Sequence, residues 1–176
     1  LGGIFEVVVR GVPIGLGSYI QWDRRLDAKL AATLMGIQAI KGVEIGAGFA
    51  CAMRPGSEIH DEIFVDKKGH PFRKTNRAGG LEGGMTNGEE IVLRAVMKPI
   101  PTLMQPLHTM DIATHEPVLA SKERSDCCAV PAASVVGEAM VAIAIAAEIC
   151  KKFSADCMRD LKDAISRYEE RLGKEW

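Results

Sequence analysis

A long apolar segment from Ala132 to Phe153 constrains the fold of this chain more than any other feature. Apolar side chains occupy nearly all faces of the helix that this segment predicts, and Pro131 suits its first turn. A helix that is hydrophobic all round is buried inside a protein or crosses a membrane. Because Glu138 and Glu148 interrupt the segment, we interpret it as a core or interface helix and expect no membrane span.

Two further helices are predicted, one before and one after this segment. Leu26, Leu30 and Leu34 follow helical spacing, which predicts a helix over 24–40 with Asp23 as its N-cap. An amphipathic helix is predicted from Asp156 to Arg171.

Three segments predict strands: 4–10, from its β-branched residues, and then Val43–Met53 and Glu90–Met97. The polar, glycine-rich residues 57–90 predict loops and short elements, and Asn87-Gly88 indicates a hairpin turn. The order of the predicted elements contains no repeated βαβ unit. It favours an α+β fold with helices packed on an antiparallel sheet, and the length of 176 residues suits one domain over 1–176.

The composition excludes some classes of protein. Charge is balanced, with 22 Lys and Arg against 23 Asp and Glu, and only 5% of residues are aromatic, so we expect no nucleic acid partner. Five cysteines without metal spacing indicate reduced thiols in a cytoplasmic protein, and the four histidines lack paired metal spacing, so no metal is expected. The chain enters a strand directly after Leu1-Gly2-Gly3, so we expect it to be part of a longer protein.

The segment Lys98-Pro99-Ile100-Pro101-Thr102 is the first candidate site. Its two prolines fix φ near −65° and hold the preceding residues in extended conformation. A stiff segment with a cation at its start and a hydroxyl at its end can receive a flat or anionic ligand without an ordering cost.

The glycine cluster 79–84 is the second candidate, because glycine allows close backbone approach to a ligand. From composition alone, a tight-turned hairpin is the favoured explanation of the same glycines. Gly46-Ala47-Gly48 is not interpreted as a dinucleotide fingerprint, since the third glycine is missing and no helix start follows.

Arg124-Ser125-Asp126 is the third candidate, just ahead of the apolar helix. In one interpretation Ser125 or Asp126 caps that helix. In the other, Arg124 binds a phosphate or carboxylate and Asp126 lies near the ligand, and both can hold together. The basic residues Lys74, Arg77, Lys98 and Arg124 suggest an anionic small molecule, although a solvated charged face explains them as well.

Several segments match a known pattern in the same order along the chain. They are Arg10-Gly11-Val12-Pro13, Gly15-Leu16-Gly17-Ser18, Trp22-Asp23-Arg24, Gln38 to Gly46, Gly56 to Glu62, Thr75 to Gly80, Lys98 to Thr102, Arg124-Ser125-Asp126 and Cys128 to Ala132. Together they resemble the chorismate synthase family, to about residue 165. Family members are much longer, and this chain resembles their C-terminal half. The family's catalytic histidines and most of its phosphate-binding arginines belong to the other half.

The resemblance implies a β-α-β sandwich, a helical layer between antiparallel sheets, of which this chain is one half. It also implies a homotetramer in the shikimate pathway of aromatic amino-acid biosynthesis. The implied reaction is the anti-1,4-elimination of phosphate and a proton from 5-enolpyruvylshikimate 3-phosphate, giving chorismate. Reduced FMN (FMNH2) is the implied cofactor, and NADPH joins it only if the whole enzyme is bifunctional.

The resemblance also implies roles for individual residues. Asp126 matches a catalytic aspartate beside the flavin, and Arg124 a residue that binds both cofactor and substrate. The remaining implied cofactor-binding residues are Gln38, Ala39, Gly83, Lys98, Pro99, Ile100, Pro101 and Thr102. Two alternatives stay open: a non-catalytic folding and oligomerisation module, and a flavin-binding half that lacks activity alone.

Overall fold

The computed structural model describes residues 1–123 and 127–175. In chain order the elements are β1 (Gly3–Val9), α1 (Leu26–Met35), β2 (Ile40–Ile45), a 3-10 helix (Gly48–Met53), α2 (Gly56–Ile59), β3 (Ile63–Val65), β4 (Pro71–Arg73), β5 (Leu81–Glu82), β6 (Met85–Thr86), β7 (Ile91–Met97), β8 (His108–Met110), β9 (Pro117–Leu119), α3 (Val130–Lys152) and α4 (Met158–Glu175).

A three-stranded antiparallel sheet organises the fold, in the order β1-β7-β2. Gly3 pairs with Met97 at one end of the sheet, and Val9 pairs with Ile91 at the other. β2 runs along the other side of β7, with Ile40 opposite Met97 and Ile45 opposite Leu93. The remaining strands form three small hairpins: β3-β4, β5-β6 and β8-β9.

One face of the sheet carries the core. Side chains alternate along a strand, so Phe5 and Val7 of β1 are buried while Ile4 and Val8 are exposed. The buried face packs on α3 and reaches α1, whose Leu26, Leu30 and Leu34 are fully buried. Helices on one face of an antiparallel sheet confirm the predicted α+β class.

The apolar helix α3 is buried along one stripe only. Ala133, Gly137, Val141 and Ile145 are buried at spacings of four residues, whereas Val135 and Ile143 are each 65% exposed. By length and composition α3 could cross a membrane, but its buried stripe packs against β1 and α1 as a core helix does. The prediction of a core or interface helix is therefore confirmed on one face, and Pro131 lies in the first turn as expected.

The first predicted helix is shorter than expected. α1 spans Leu26–Met35 rather than 24–40, and its N-cap is Arg25, which makes no capping hydrogen bond with its side chain; the prediction of Asp23 was wrong. The helix starts where it does because the Leu26 N–H donates to the Gly84 carbonyl at 2.8 Å, a tertiary contact.

Two predictions from the central region were also wrong. β2 ends at Ile45 rather than continuing to Met53, because Gly46 adopts φ +57° and packs against the Arg77 carbonyl. Asn87-Gly88 connects β6 to β7, which do not pair with each other, and the tight hairpin turn is Gly83-Gly84 between β5 and β6. The hairpin interpretation of the glycine cluster is confirmed.

Candidate functional site

The segment Lys98–Thr102 leaves the sheet directly beside the turn that contains Gln38 and Ala39. β7 ends at Met97 and β2 begins at Ile40, and these two residues are paired. The Lys98 N–H donates to the Ala39 carbonyl at 2.9 Å, which extends the pairing by one residue. Two segments 59 positions apart in the chain (98 − 39) thus form one surface, which we call the sheet-end ledge: Gln38–Ala39 with Lys98–Thr102.

Ala39 has a backbone conformation that non-glycine residues seldom adopt. Its φ is +67°, in the left-handed region that costs an alanine roughly 1–2 kcal/mol. The conformation reverses the chain between α1 and β2, and it aims the Ala39 carbonyl at Lys98. Such strain persists where the surroundings impose it, and it is frequent at binding sites.

The ledge is accessible and lies outside regular secondary structure, and the chain bends at Pro101. Gln38, Lys98, Pro99 and Pro101 are exposed, and Ile100 and Thr102 are half-buried. Residues 98–100 belong to no helix or strand, and the hydrogen bond from the Lys98 N–H to the Ala39 carbonyl is the backbone contact that the structure shows for them. A flat ligand can therefore lie along this backbone, with the Lys98 ammonium at one end.

Gly2 and Gly3 hold the ledge next to the start of α3. A Cβ on Gly2 would lie 2.4 Å from the Met97 carbonyl oxygen and 3.0 Å from Pro99 Cδ. A Cβ on Gly3 would lie 3.2 Å from a methyl group of Val130, the first residue of α3. The ledge and the N-terminal end of α3 are thus neighbours across β1.

Arg124, Ser125 and Asp126 lie outside the described residues. Their predicted roles in cofactor binding, substrate binding and catalysis stay predictions. The N-cap of α3 is Ala129, which makes no capping hydrogen bond with its side chain, and the interpretation of Ser125 or Asp126 as a cap also falls on residues outside those described.

Gly83 lies at the other end of α1 from the ledge. It forms the β5-β6 turn with φ +59°, and the neighbouring Gly84 contacts Leu26 and Arg25 at the start of α1. Ala39 follows the end of that helix, which is 10 residues or about 15 Å long. Within one chain, the structure does not bring Gly83 to the other predicted cofactor-binding residues.

The basic residues that the sequence suggested for one anion site, Lys74, Arg77 and Lys98, lie in different places in the structure. Arg77 packs against Gly46 at the far end of β2 from Lys98. Lys74 lies over the Phe64 ring, with its Nζ 3.9 Å from the centroid, where its charge is stabilised by the aromatic face. Lys74 and Arg77 therefore do not extend the sheet-end ledge.

Sequence reasoning missed the role of Asp61. Its carboxylate accepts hydrogen bonds from the Thr75 hydroxyl at 2.6 Å and from the Arg77 and Ala78 N–H groups at 2.9 and 2.8 Å. Burial raises the pKa of Asp61, but these hydrogen bonds and the Arg77 charge outweigh it and leave the pKa below its usual value. A hydroxyl followed by a turn, Thr75-Asn76-Arg77, was the available signal, but its partner lies 14 positions earlier.

Comparison with known proteins identifies the family. The chorismate synthase family model matches residues 1–150. The chain is 58% identical to the chorismate synthase of Desulforamulus reducens over 97% of its own length and 60% identical to that of Alkaliphilus metalliredigens over 96%. In each case it spans 44% of the relative.

A solved structure shows the same relationship. The crystal structure of a chorismate synthase superposes with a TM-score of 0.79 and 48% identity, over 97% of this chain and 44% of that one. The predicted fold class is confirmed, and the chain amounts to somewhat under half of the proteins that it matches. This chain therefore belongs to the chorismate synthase family.

Proposed function

We propose that this chain is the part of a chorismate synthase that supplies one edge of its flavin site. The proposal rests on the 2.9 Å hydrogen bond from the Lys98 N–H to the Ala39 carbonyl. That bond joins Gln38–Ala39 to Lys98–Thr102, two segments that the family resemblance independently assigns to the cofactor. The accessible backbone around the prolines fits a flat ring, and the Lys98 cation fits an anionic group.

The reaction is the elimination of phosphate and a proton from 5-enolpyruvylshikimate 3-phosphate. The C3–O bond breaks with its electron pair on the phosphate, the C6 hydrogen leaves, and a conjugated ring diene forms. Reduced FMN, when bound, supplies an electron-rich ring beside the substrate, with no net redox change. NADPH takes part only if the whole enzyme also reduces its own flavin.

The residues of this chain have three tasks in that reaction. The ledge holds the ring and excludes water from one side of it. Arg124 binds the anionic substrate and the cofactor as a planar two-pronged donor. Asp126 moves a proton. The active protein is a cytoplasmic homotetramer that contains both halves of the family's chain, and this chain alone is inactive.

Flavin binding by the purified chain tests the ledge. Under anaerobic conditions we expect reduced FMN to bind with a micromolar dissociation constant, measured by fluorescence. Lys98→Gln should weaken binding about tenfold, the usual effect of losing one charge-assisted hydrogen bond. Lys67→Gln, an exposed lysine in the β3-β4 turn, is the matched control and should change nothing. Equal affinity in both variants would contradict the assignment of Lys98.

Turnover tests the reaction and the role of Asp126. The chain without the other half should show no conversion of the shikimate ester, and measured turnover would contradict the proposed division of labour. In an enzyme containing both halves, Asp126→Asn should lower turnover well beyond threefold. A decrease of threefold or less would contradict the proposed role of Asp126 in proton transfer.

A second candidate is a folding and assembly module. It is favoured by the exposed apolar face of α3, where Val135 and Ile143 lie open. Absence of any flavin binding by the folded chain would favour this alternative over the flavin site.

A further inference from the structure

A basic cavity lies at the end of α3 that is far from the sheet-end ledge. α3 starts beside Gly3 and runs for 23 residues, about 34 Å, to Lys152. Around its last turn, Lys151 and Lys152 meet Arg24 and Lys29 from the N-terminal part of α1 and the turn before it. Together with the glycine-rich loop at Gly15–Ser18 they enclose about 440 Å³, a volume typical of small-molecule sites.

Glu148 anchors the cavity. Its side chain is only 8% exposed, and one carboxylate oxygen accepts from Lys29 Nζ at 2.8 Å and from Lys151 Nζ at 2.7 Å. Burial raises the pKa of Glu148, but the hydrogen bonds and charges of Lys151 and Lys29 outweigh it, so the pKa stays below its usual value and the group is ionised. Two ammonium groups are therefore fixed at one wall by a buried carboxylate.

The cavity has more positive than negative charge. Its four cations, Arg24, Lys29, Lys151 and Lys152, face the single negative charge of Glu148, which leaves a surplus of three. Within residues 1–123 and 127–175, Arg24 and Lys152 take part in no ion pair. The Lys152 ammonium lies 4.6 Å above the Tyr168 ring, which orients it without neutralising it.

The glycines of the loop opposite these cations let it pack closely against the rest of the chain. A Cβ on Gly15 would lie 3.6 Å from Lys152 Nζ and 3.1 Å from the Tyr168 hydroxyl oxygen. A Cβ on Gly17, where φ is +101°, would lie 2.6 Å from the Gly84 carbonyl oxygen. The Ser18 hydroxyl accepts from the Ile20 N–H at 3.2 Å, so its own proton is available to a ligand.

We propose that this cavity is a binding site for the phosphate group of a small phosphorylated molecule. A phosphate monoester carries about two negative charges at neutral pH and three acceptor oxygens. The surplus positive charge attracts such a dianion, and Arg24, Lys152 and Ser18 can donate hydrogen bonds to its oxygens. Within this chain the site lies at the opposite end of α3 from the sheet-end ledge.

Calorimetric titration of the whole chain with inorganic pyrophosphate, at constant ionic strength, tests the proposal. We expect a 1:1 complex with a dissociation constant below about 1 mM. Arg24→Gln and Lys152→Gln should each weaken binding about fivefold to tenfold, as expected for the loss of one charge-assisted hydrogen bond. Both side chains are exposed, so these variants keep the fold. Lys67→Gln is the control and should bind as the unchanged chain does.

Glu148→Gln removes a negative charge from the cavity, whereas Arg24→Gln and Lys152→Gln each remove a positive one. The amide still accepts a hydrogen bond, but the surplus rises from three to four, so pyrophosphate should bind about threefold tighter or more. If these residues form only a set of ion pairs and bind no ligand, Glu148→Gln should lower the stability of the chain and should not raise its affinity for pyrophosphate. No heat of binding up to about 10 mM pyrophosphate, or equal weakening by Lys67→Gln, would overturn the proposal. Since no flavin or shikimate ester is used, this outcome is independent of the test of the proposed function.

Discussion

Asp61 joins two segments that are separated in sequence by the β3-β4 hairpin. Its three hydrogen bonds fix the loop at Thr75–Ala78, and the neighbouring Gly79 packs against Gly46 at the end of β2. One carboxylate therefore determines where the glycine cluster meets the sheet.

Asp61→Asn should destabilise the chain by about 1–2 kcal/mol. An amide keeps one acceptor oxygen but replaces the other by a donor, so it cannot accept from both the Thr75 hydroxyl and the two backbone N–H groups. Urea unfolding at pH 7 measures the change. Glu62→Gln, the exposed neighbour, is the control and should shift the free energy of unfolding by less than about 0.5 kcal/mol.

The same carboxylate predicts a dependence on pH. Because the folded pKa of Asp61 lies below its unfolded value, its stabilisation is complete above the ordinary carboxyl range. It is lost as the pH falls through the depressed pKa. The stability difference between the unchanged chain and Asp61→Asn should therefore shrink from pH 7 to pH 3. A constant difference would show that the two carboxylate states bind the loop equally.

At the scale of elements, the contact between α3 and the sheet depends on a glycine. A Cβ on Gly137 would lie 2.5 Å from Phe5 Cε2 and 3.5 Å from Leu34 Cδ2, both in the core. Phe5 is 6% exposed, so its ring has little room to move away. The close approach lets α3, β1 and α1 share one core.

Gly137→Ala should therefore destabilise the chain by about 1–3 kcal/mol, although alanine favours a helix. Gly173→Ala on α4 is the matched control, since nothing lies within 4 Å of its Cβ position. Helix propensity acts alone there and should stabilise the chain by up to about 1 kcal/mol. Thermal unfolding of both variants provides the measurement. Stabilisation by Gly137→Ala would contradict the packing of α3 on Phe5.

At the scale of the whole molecule, large apolar side chains remain uncovered on both sides of the fold. Val135 and Ile143 of α3 are exposed on one side, and Ile4 and Val8 of β1 on the other face of the sheet. The chain spans 44% of the relatives that it matches, so these faces are available to the rest of such proteins. Apolar area of this kind marks an interface.

The chain alone should therefore bind a hydrophobic dye and self-associate. Replacing both Val135 and Ile143 by Lys should lower dye fluorescence and shift sedimentation towards the monomer, because a charged face resists association. The melting temperature should change little, since neither residue is buried. Val141→Lys is the contrasting variant: Val141 is 1% exposed, and this change should unfold the chain.

Signals local to each segment were enough to predict four elements: strand composition for β1 and β7, a long apolar run for α3 and an amphipathic pattern for α4. The boundaries of α1 and β2 were not predictable, since contacts with Gly84 and Arg77 from distant segments determine them. The exposed faces of α3 were not predicted either. An apolar helix sequence does not show whether the surfaces that cover the helix belong to the same chain.

The sequence alone determined two things. Proline restricts φ within Lys98–Thr102, which is a local stereochemical effect. The order of the motifs along the chain identified the family. The tertiary structure decided which segments meet. The pairing of β2 with β7 brought Ala39 to Lys98 and kept Gly83 at the far end of α1. The packing of α1 on α3 placed Arg24, Lys29 and Lys151 around Glu148, which lies 119 positions from Lys29 in the chain. Proximity between distant segments depends on strand register and helix packing, and neither is encoded in any single stretch of residues.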